Sequence, residues 1–251
     1  MSIIRLQGRS GANGVTKRYD DKLVLREINL KLDPGDRVGL LGKNGSSKTT
    51  LLRLILGQET PDEGVVEVDA GVRIGYFSQF SELSEEASIT EVLDQVFAPI
   101  QAIEAELSRI NQALQGSQEP AALRQLLERQ AALMAEMDHS DGWNYAYRID
   151  TVLTRLGFAE EDRRKPVGQL SGGWRNRAAL AKILLEQPDV LLLDEPTNFL
   201  DLQGLTWLEE WLGEFRGAML LVSHDRDFID HVVGGAAGKG RIVGIENHQL
   251  Q

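Results

Sequence analysis

The segment Gly42-Lys43-Asn44-Gly45-Ser46-Ser47-Lys48-Thr49-Thr50 gathers glycines and small hydroxyl residues around a lysine. That is the composition of a loop that surrounds phosphate with backbone N–H groups and a helix N-terminus. In such a loop the Lys48 ammonium reaches the outer phosphates and the Thr49 hydroxyl is a hard oxygen ligand for magnesium. One position departs from the pattern: Ser47 stands where a second glycine belongs, so a side chain occupies a place that favours none. A second constellation is Val190-Leu191-Leu192-Leu193 running into Asp194 and Glu195. A buried strand of this kind delivers two carboxylates to its C-terminal end, where open α/β sheets bind ligands. Asp194 is then placed to hold a metal ion and Glu195 to orient or deprotonate an attacking water. A third is Leu170-Ser171-Gly172-Gly173 ahead of a helical stretch, with Ser171 as a cap and two glycines that let an anion approach closely. Singly, these read as a serine-rich turn, an acidic pair ending a strand and a capped helix. Their occurrence together, in this order, favours the chemistry.

Those groups need elements to position them. Residues 37–41 form a compact apolar strand and residues 49–56 carry helical spacing, so strand, loop and helix follow in the order a phosphate loop requires. Upstream, residues 3–6 and the alternation of Ile28, Leu30 and Leu32 before Asp33-Pro34-Gly35-Asp36 predict antiparallel strands. Val65, Val66 and Val68, then Val72, Ile74, Tyr76 and Phe77, predict two more, joined across a turn containing Gly71. From Val92 through Val96, Ile100, Ile103, Leu107, Ile110 and Leu114 the apolar residues recur every three or four positions. After a break at 116–120 a second helical stripe carries Leu123, Leu126, Leu127, Leu133, Met134 and Met137, which predicts an antiparallel helical hairpin packed on itself. The last third alternates: helix over 174–185, strand over 190–193, helix near 205–215, strand over 218–222, and a final strand around Ile242, Val243 and Ile245. Such alternation predicts a mostly parallel sheet with helices on its faces.

The 251 residues, 42% of them hydrophobic, suffice for one domain with lobes. A net charge of -11 argues against a free-standing nucleic-acid binder, which needs a clustered basic face. Cysteine is absent, which excludes disulfides and thiolate chemistry. The N-terminus lacks the plan of a signal peptide, and no apolar run approaches the ~20 residues that span a bilayer. The expectation is a cytoplasmic chain without direct membrane insertion, which would act at a membrane through a separate subunit.

The three chemical segments together resemble the ATP-binding-cassette (ABC) family, and the resemblance covers most of the chain. It implies a P-loop NTPase fold: an α/β, RecA-like parallel-sheet core, an antiparallel β subdomain, and an α-helical subdomain with a hairpin insertion. The corresponding boundaries are 1–80 for the β lobe and phosphate-loop core, 81–185 for the helical subdomain with its insertion at about 89–138, and 186–251 for the rest of the core. The resemblance implies ATP and Mg2+ held by Gly42, Asn44, Gly45, Ser46, Ser47, Lys48, Thr49 and Thr50. Glu195 would be the base, with Lys48 at the phosphates and Thr49 and Asp194 at the metal. The stretch Leu170-Ser171-Gly172-Gly173-Trp174-Arg175-Asn176-Arg177 is similar to the family signature, whose Ser171, Gly172 and Gly173 would bind the γ-phosphate held by a partner cassette. Two cassettes face to face are therefore implied, either as two copies or within one parent chain. Gln79, after Gly75-Tyr76-Phe77-Ser78, resembles the glutamine that reaches magnesium and the attacking water. Tyr19 lies at the adenine-stacking position, His224 in Ser223-His224-Asp225 resembles the histidine at the γ-phosphate, and Pro196-Thr197-Asn198-Phe199-Leu200-Asp201 resembles the loop that communicates between sites.

Within the family, Thr197-Asn198 before Leu200-Asp201, the Trp174-Arg175-Asn176-Arg177 run and the helical insertion look like the ABC-F subfamily, soluble twin-cassette proteins many of which act on ribosomes. The chain then reads as a first cassette with its arm. It departs from that pattern at Ser47, at Phe199 where a histidine is usual, and in glycine-rich stretches at 8–14 and 234–240. Acidic residues also outnumber basic ones along the arm, opposite to an RNA-contacting surface. Two further readings stay open: the ATP-binding subunit of a membrane transporter, whose helical lobe docks on a transmembrane partner, and an ATP-binding switch with little turnover.

Overall fold

The computed structural model describes residues 2–9, 13–42, 47–78, 83–116, 119–234 and 240–251. Its strands are β1 (Ile4–Gln7), β2 (Val15–Tyr19), β3 (Lys22–Ile28), β4 (Leu30–Leu32), β5 (Arg37–Leu41), β6 (Val65–Val68), β7 (Ile74–Phe77), β8 (Val190–Asp194), β9 (Ala218–Val222), β10 (Gly240–Glu246) and β11 (Gln249–Leu250). The α-helices are α1 (Lys48–Ile55), α2 (Ile89–Asp94), α3 (Ala98–Gly116), α4 (Pro120–His139), α5 (Tyr145–Arg155), α6 (Glu160–Arg163), α7 (Gly172–Glu186), α8 (Leu202–Glu214) and α9 (Arg226–Ile229). Two compact units result, 1–82 with 172–251, and 83–171. The sequence-based boundary at 185 therefore moves back to 171, because α7 packs with the sheet.

The core of the first unit is a six-stranded sheet in the order β11-β10-β5-β9-β8-β7, in which β10, β5, β9, β8 and β7 run parallel and β11 pairs antiparallel with β10. β8 and β9 read as unbroken apolar runs because helices cover both faces of such a sheet, and Val190 through Leu193 and Ala218 through Val222 are fully buried. Two glycines permit close layers. A Cβ on Gly39 would lie 2.5 Å from the Ile229 side chain, and one on Gly75 would lie 2.6 Å from the Pro188 ring and 3.0 Å from Ile183. The buried Arg37 guanidinium donates to the carbonyls of Gly213 and Phe215, each at 2.8 Å, and so satisfies the C-terminal end of α8.

The antiparallel lobe is a three-stranded sheet, β4-β1-β6, beside the hairpin β2-β3. The two strands expected to be joined across Gly71 do not pair with each other: β6 adds to β1, whereas β7 crosses to the parallel sheet beside β8. Gly71 has φ 82°, so the turn is real, but it connects two sheets.

The helical unit contains the expected hairpin. Ile103, Leu107 and Ile110 of α3 pack on Leu133 and Met137 of α4, with Ile100, Leu114 and Leu126 at the margins. Arg129 grips Glu106 across the hairpin at 2.7 and 3.0 Å, and Gln130 donates to Asn111 at 2.6 Å. The single helix anticipated from 89 onward is divided. α2 starts with a Ser88–Glu91 capping box and gives way to a 3-10 turn at Gln95–Phe97 before α3, whose second residue is Pro99. Proline is tolerated in a first turn and disfavoured in a helix interior, which accounts for the division. Among the described residues no helix is long and apolar enough to cross a membrane.

Candidate active site

Strand register alone brings the site together. In the parallel sheet Asp194 lies opposite Val222, Leu40 opposite Val222, and Phe77 opposite Leu193. The residues that leave the C-terminal ends, Gly42 after β5, Ser78 after β7, Glu195 after β8 and Ser223 after β9, therefore share one edge.

At that edge the Thr49 hydroxyl donates to Asp194 Oδ2 at 3.0 Å, joining the start of α1 to the end of β8. Lys48 is buried, and its Nζ donates to the Gly42 carbonyl at 2.6 Å, which ties the start of α1 to the residue that follows β5. Burial pushes the Asp194 carboxyl above its ordinary range and neighbouring Glu195 adds to this, while the Thr49 hydroxyl, Lys48 and Arg53 act in the opposite direction. A half-buried carboxylate beside a hydroxyl, with a second carboxylate adjacent, is a hard-oxygen set with negative charge in excess, and it suits a magnesium ion. The residues present therefore fit the metal that the sequence implies.

Glu195 is 13% exposed by its side chain, and its Oε2 lies 2.7 Å from His224 Nδ1. The His224 backbone N–H donates to the same oxygen at 3.3 Å, and the Glu195 N–H donates to Val222 at 2.9 Å. Ser223 is fully buried and accepts from the Asp225 N–H, and Asp225 in turn caps α9 through the Phe228 N–H at 3.1 Å. The histidine is thus held on a short, fixed turn against the glutamate. This arrangement can hold a water at a carboxylate whose orientation a neighbouring imidazole sets.

Two residues of the site are held in the left-handed region. Ser47, immediately before α1, has φ 69° and ψ 18°, the conformation for which the pattern uses glycine, and Glu195 has φ 52°. Each costs about 1–3 kcal/mol, a strain that accumulates where function fixes the backbone. The sequence points to Ser47; nothing in the local sequence marks Glu195.

Thr50 sits in the first turn of α1, and Gly172 and Gly173 open α7, where a Cβ on either would meet nothing within 4 Å. Ser171 closes the helical unit. Tyr19 ends β2; the residue is 39% exposed, and the Lys17 ammonium lies 5.2 Å from the centroid of its ring. Asn44, Gly45, Ser46 and Gln79 lie outside the described residues. Tyr76 carries only a strand pattern in the sequence, yet its hydroxyl shares a hydrogen bond with Ser78 and stands in the field of Asp194. A pocket of about 730 Å3, bordered by Pro34, Asp189, Trp211 and Phe215, lies at the opposite edge, by the N-terminal ends of β5, β8 and β9.

Fold and site together define a P-loop nucleotide-binding domain of the RecA-like kind. The profile of the ABC transporter family matches residues 25–198. The chain belongs to that family, as an ABC ATPase domain. Relatives include the tylosin resistance ATP-binding protein TlrC of Streptomyces fradiae, 42% identical over 220 residues that cover 88% of this chain and 40% of that protein. ABC transporter F family member 5 of Arabidopsis thaliana is 36% identical, covering 89% and 34% respectively. The energy-dependent translational throttle protein EttA of Mycobacterium tuberculosis is 35% identical, covering 87% and 38%. The chain thus spans about two-fifths of the length of these relatives. A dimeric ATP-binding cassette in a post-hydrolysis state bound to ADP and Pi shares the fold, with a TM-score of 0.62 at 20% identity over 99% of this chain and 96% of that one.

Proposed function

We propose that this cassette binds Mg-ATP in the loop at 42–50 and hydrolyses it as one half of a closing pair. The observation that carries this reading is the joint geometry at the sheet edge: Thr49 bonded to Asp194, and Glu195 bonded to His224 one residue further on. Lys48 binds the β- and γ-phosphates. Glu195 accepts a proton from the water that attacks the γ-phosphorus, the bond from that phosphorus to the ADP oxygen breaks, and ADP and phosphate leave. His224 keeps the carboxylate turned to the water. Thr49 and Asp194, with Gln79, would hold magnesium, which would supply charge neutralisation at the phosphates. Tyr19 offers a ring face to the base, and Ser171, Gly172 and Gly173 face the nucleotide of the other cassette.

Phosphate release from Mg-ATP across protein concentration tests this. Specific activity rising with concentration supports a composite site built from two copies. Activity independent of concentration contradicts the paired mechanism. No release at any concentration, with recovery in Ser47→Gly, assigns the fault to the strained loop rather than to the pairing.

The parent protein reads as an ABC-F engine of the cytoplasm associated with translation. This is supported by the α3–α4 hairpin in the helical unit and by relatives named for the F family and for a translational throttle. Retention of the full-length parent on ribosomes in an ATP-bound state is expected. Absence of retention in every nucleotide state, with co-purification of a polytopic membrane protein, would instead support the transporter reading.

A further inference from the structure

The pocket of about 730 Å3 at the edge of the parallel sheet away from the phosphate loop has the size of a small-molecule site, for which ~300–1,000 Å3 is usual. Its walls all belong to the unit formed by 1–82 and 172–251. Leu208 and Leu212 of α8 are fully buried in the core, whereas Trp211 on the same helix is half-buried and borders the pocket. Its ring stacks on that of Phe215, one turn further on, with centroids 5.5 Å apart and planes 19° from parallel. Pro34 and Pro188 add two more rings to the walls.

The backbone fixes this shape in advance. The tip of the Phe215 ring lies over Gly217, where a Cβ would stand 2.4 Å from it, so glycine is what leaves room for the ring. The Phe215 carbonyl accepts from the buried Arg37 guanidinium at 2.8 Å. The Ala218 N–H donates to the Asp189 carbonyl at 3.0 Å and the Met219 N–H to the Asp36 carbonyl at 2.8 Å. A slot held in this way needs little ordering when it is filled.

The charges at its border decide what fits. The Asp189 carboxylate is already engaged: it accepts the Arg73 N–H at 2.9 Å and the Arg73 guanidinium at 3.4 Å, and these bonds hold its carboxyl below the ordinary range. Glu214 and Arg216 flank Phe215 and also border the pocket, and among the described residues neither has an ion-pair partner, the other included. A single exposed charge is ordinary, but here one free carboxylate and one free guanidinium stand on either side of an aromatic platform. A phosphate ligand is disfavoured, because two carboxylates accompany the one cation. A simple amine would leave Arg216 unused, and a simple acid would leave Glu214 unused. A molecule carrying both charges satisfies both.

We infer that this pocket binds a small molecule with a flat aromatic body and a zwitterionic head, the chemistry of an aromatic amino acid. The body lies against Trp211 and Phe215, the ammonium meets Glu214 and the carboxylate meets Arg216. The site is at the opposite edge of the sheet from Lys48, so the inference stands apart from the ATP reading and does not fail with it.

The test is titration of the isotope-labelled full chain with L-tryptophan, tryptamine and indole-3-propionate, followed by backbone amide chemical shifts. The three probes share one ring and differ only in the head. L-Tryptophan is expected to shift the amides of Gln187, Asp189 and 212–218, with a Kd in the millimolar range or tighter, and to leave 48–55 unmoved. Tryptamine and indole-3-propionate should shift the same amides with a Kd about two- to fivefold higher, the loss of one exposed charge pair. In E214Q the advantage of L-tryptophan over indole-3-propionate disappears, and in R216Q its advantage over tryptamine disappears. Both residues are exposed, so these variants keep the wild-type melting temperature, which the more disruptive W211A, expected to lose binding altogether, need not do. No shift around the pocket with any probe at millimolar concentration overturns the inference. Equal affinity for all three probes overturns it as well, because the cavity would then take up an apolar ring without reading the head, and so does a preference for L-tryptophan that survives in both E214Q and R216Q.

Discussion

Glu195→Gln is expected to lower phosphate release by at least ~100-fold while leaving Mg-ATP affinity within about threefold, since a positioned general base contributes roughly 10²–10⁴ in rate. Glutamine matches glutamate in shape, so the left-handed backbone at φ 52°, the bond from its N–H to Val222 and the fit against His224 all have the same geometric basis. What disappears is the ability to take a proton from water. Lys48 and Thr49 belong to α1 and Asp194 to β8, and their contacts with Gly42 and with one another do not involve the Glu195 carboxylate. Binding and turnover therefore separate, and with hydrolysis blocked the closed pair accumulates, readable as an ATP-dependent increase in mass by light scattering. If the variant releases phosphate at the wild-type rate, the base lies elsewhere, and the 2.7 Å contact with His224 is only a structural one.

Much of this is legible in the sequence because the site is built from segments contiguous along the chain. The strand-loop-helix around Lys48 and the apolar run into Asp194 and Glu195 each state their own geometry, and a parallel sheet then sets them at one edge. The hairpin is legible because apolar residues spaced by three and four fall on one face of a helix, and two such stripes separated by a short break can bury each other. What remains hidden depends on partners distant in sequence. The β2–β3 hairpin carries no clear signal: Val15–Tyr19 mixes Thr16, Lys17 and Arg18 with its apolar residues, and its pairing with β3 shifts register twice. The crossing of β7 away from β6 is also hidden, because Val65–Val68 and Ile74–Phe77 look alike as short apolar strands, and only their neighbours tell a lobe strand from a core strand. The cap that Asp201 places on α8 is readable in principle from an aspartate ahead of a helical run, but the same aspartate ends the loop motif at 196–201, which masks the cap. The contacts that Arg177 makes with the Phe199 carbonyl and the Asp201 carboxylate are hidden for the same reason, since both lie more than twenty residues further along the chain.

Lys48→Met should fail in the opposite way from the glutamate variant: the Kd for Mg-ATP is expected to rise about 10- to 100-fold, the equivalent of losing roughly 1.5–3 kcal/mol of charge-assisted hydrogen bonding to the phosphates. Methionine is chosen because Lys48 is only 7% exposed and its stem packs at the start of α1. An unbranched apolar side chain fills that path, so the helix keeps its packing while the ammonium is lost. The Gly42 carbonyl, which accepts from Nζ at 2.6 Å, loses its donor, but Gly42 is only half-buried, so the cost to folding is expected to be small beside the cost to binding. That same bond bears on the size of the expected effect. The ammonium is held against the first glycine of its own loop, and a phosphate must offer it a better acceptor than a neutral carbonyl, which a doubly charged oxygen cluster does. Calorimetric titration with Mg-ATP, with melting temperature as the control for folding, reads both sides of the argument. Wild-type affinity in the methionine variant would mean that the loop at 42–50 does not cradle the phosphates, whatever Glu195 does. A weakened Kd with an unchanged melting temperature assigns the binding energy to this one nitrogen and leaves Glu195 to account for the turnover.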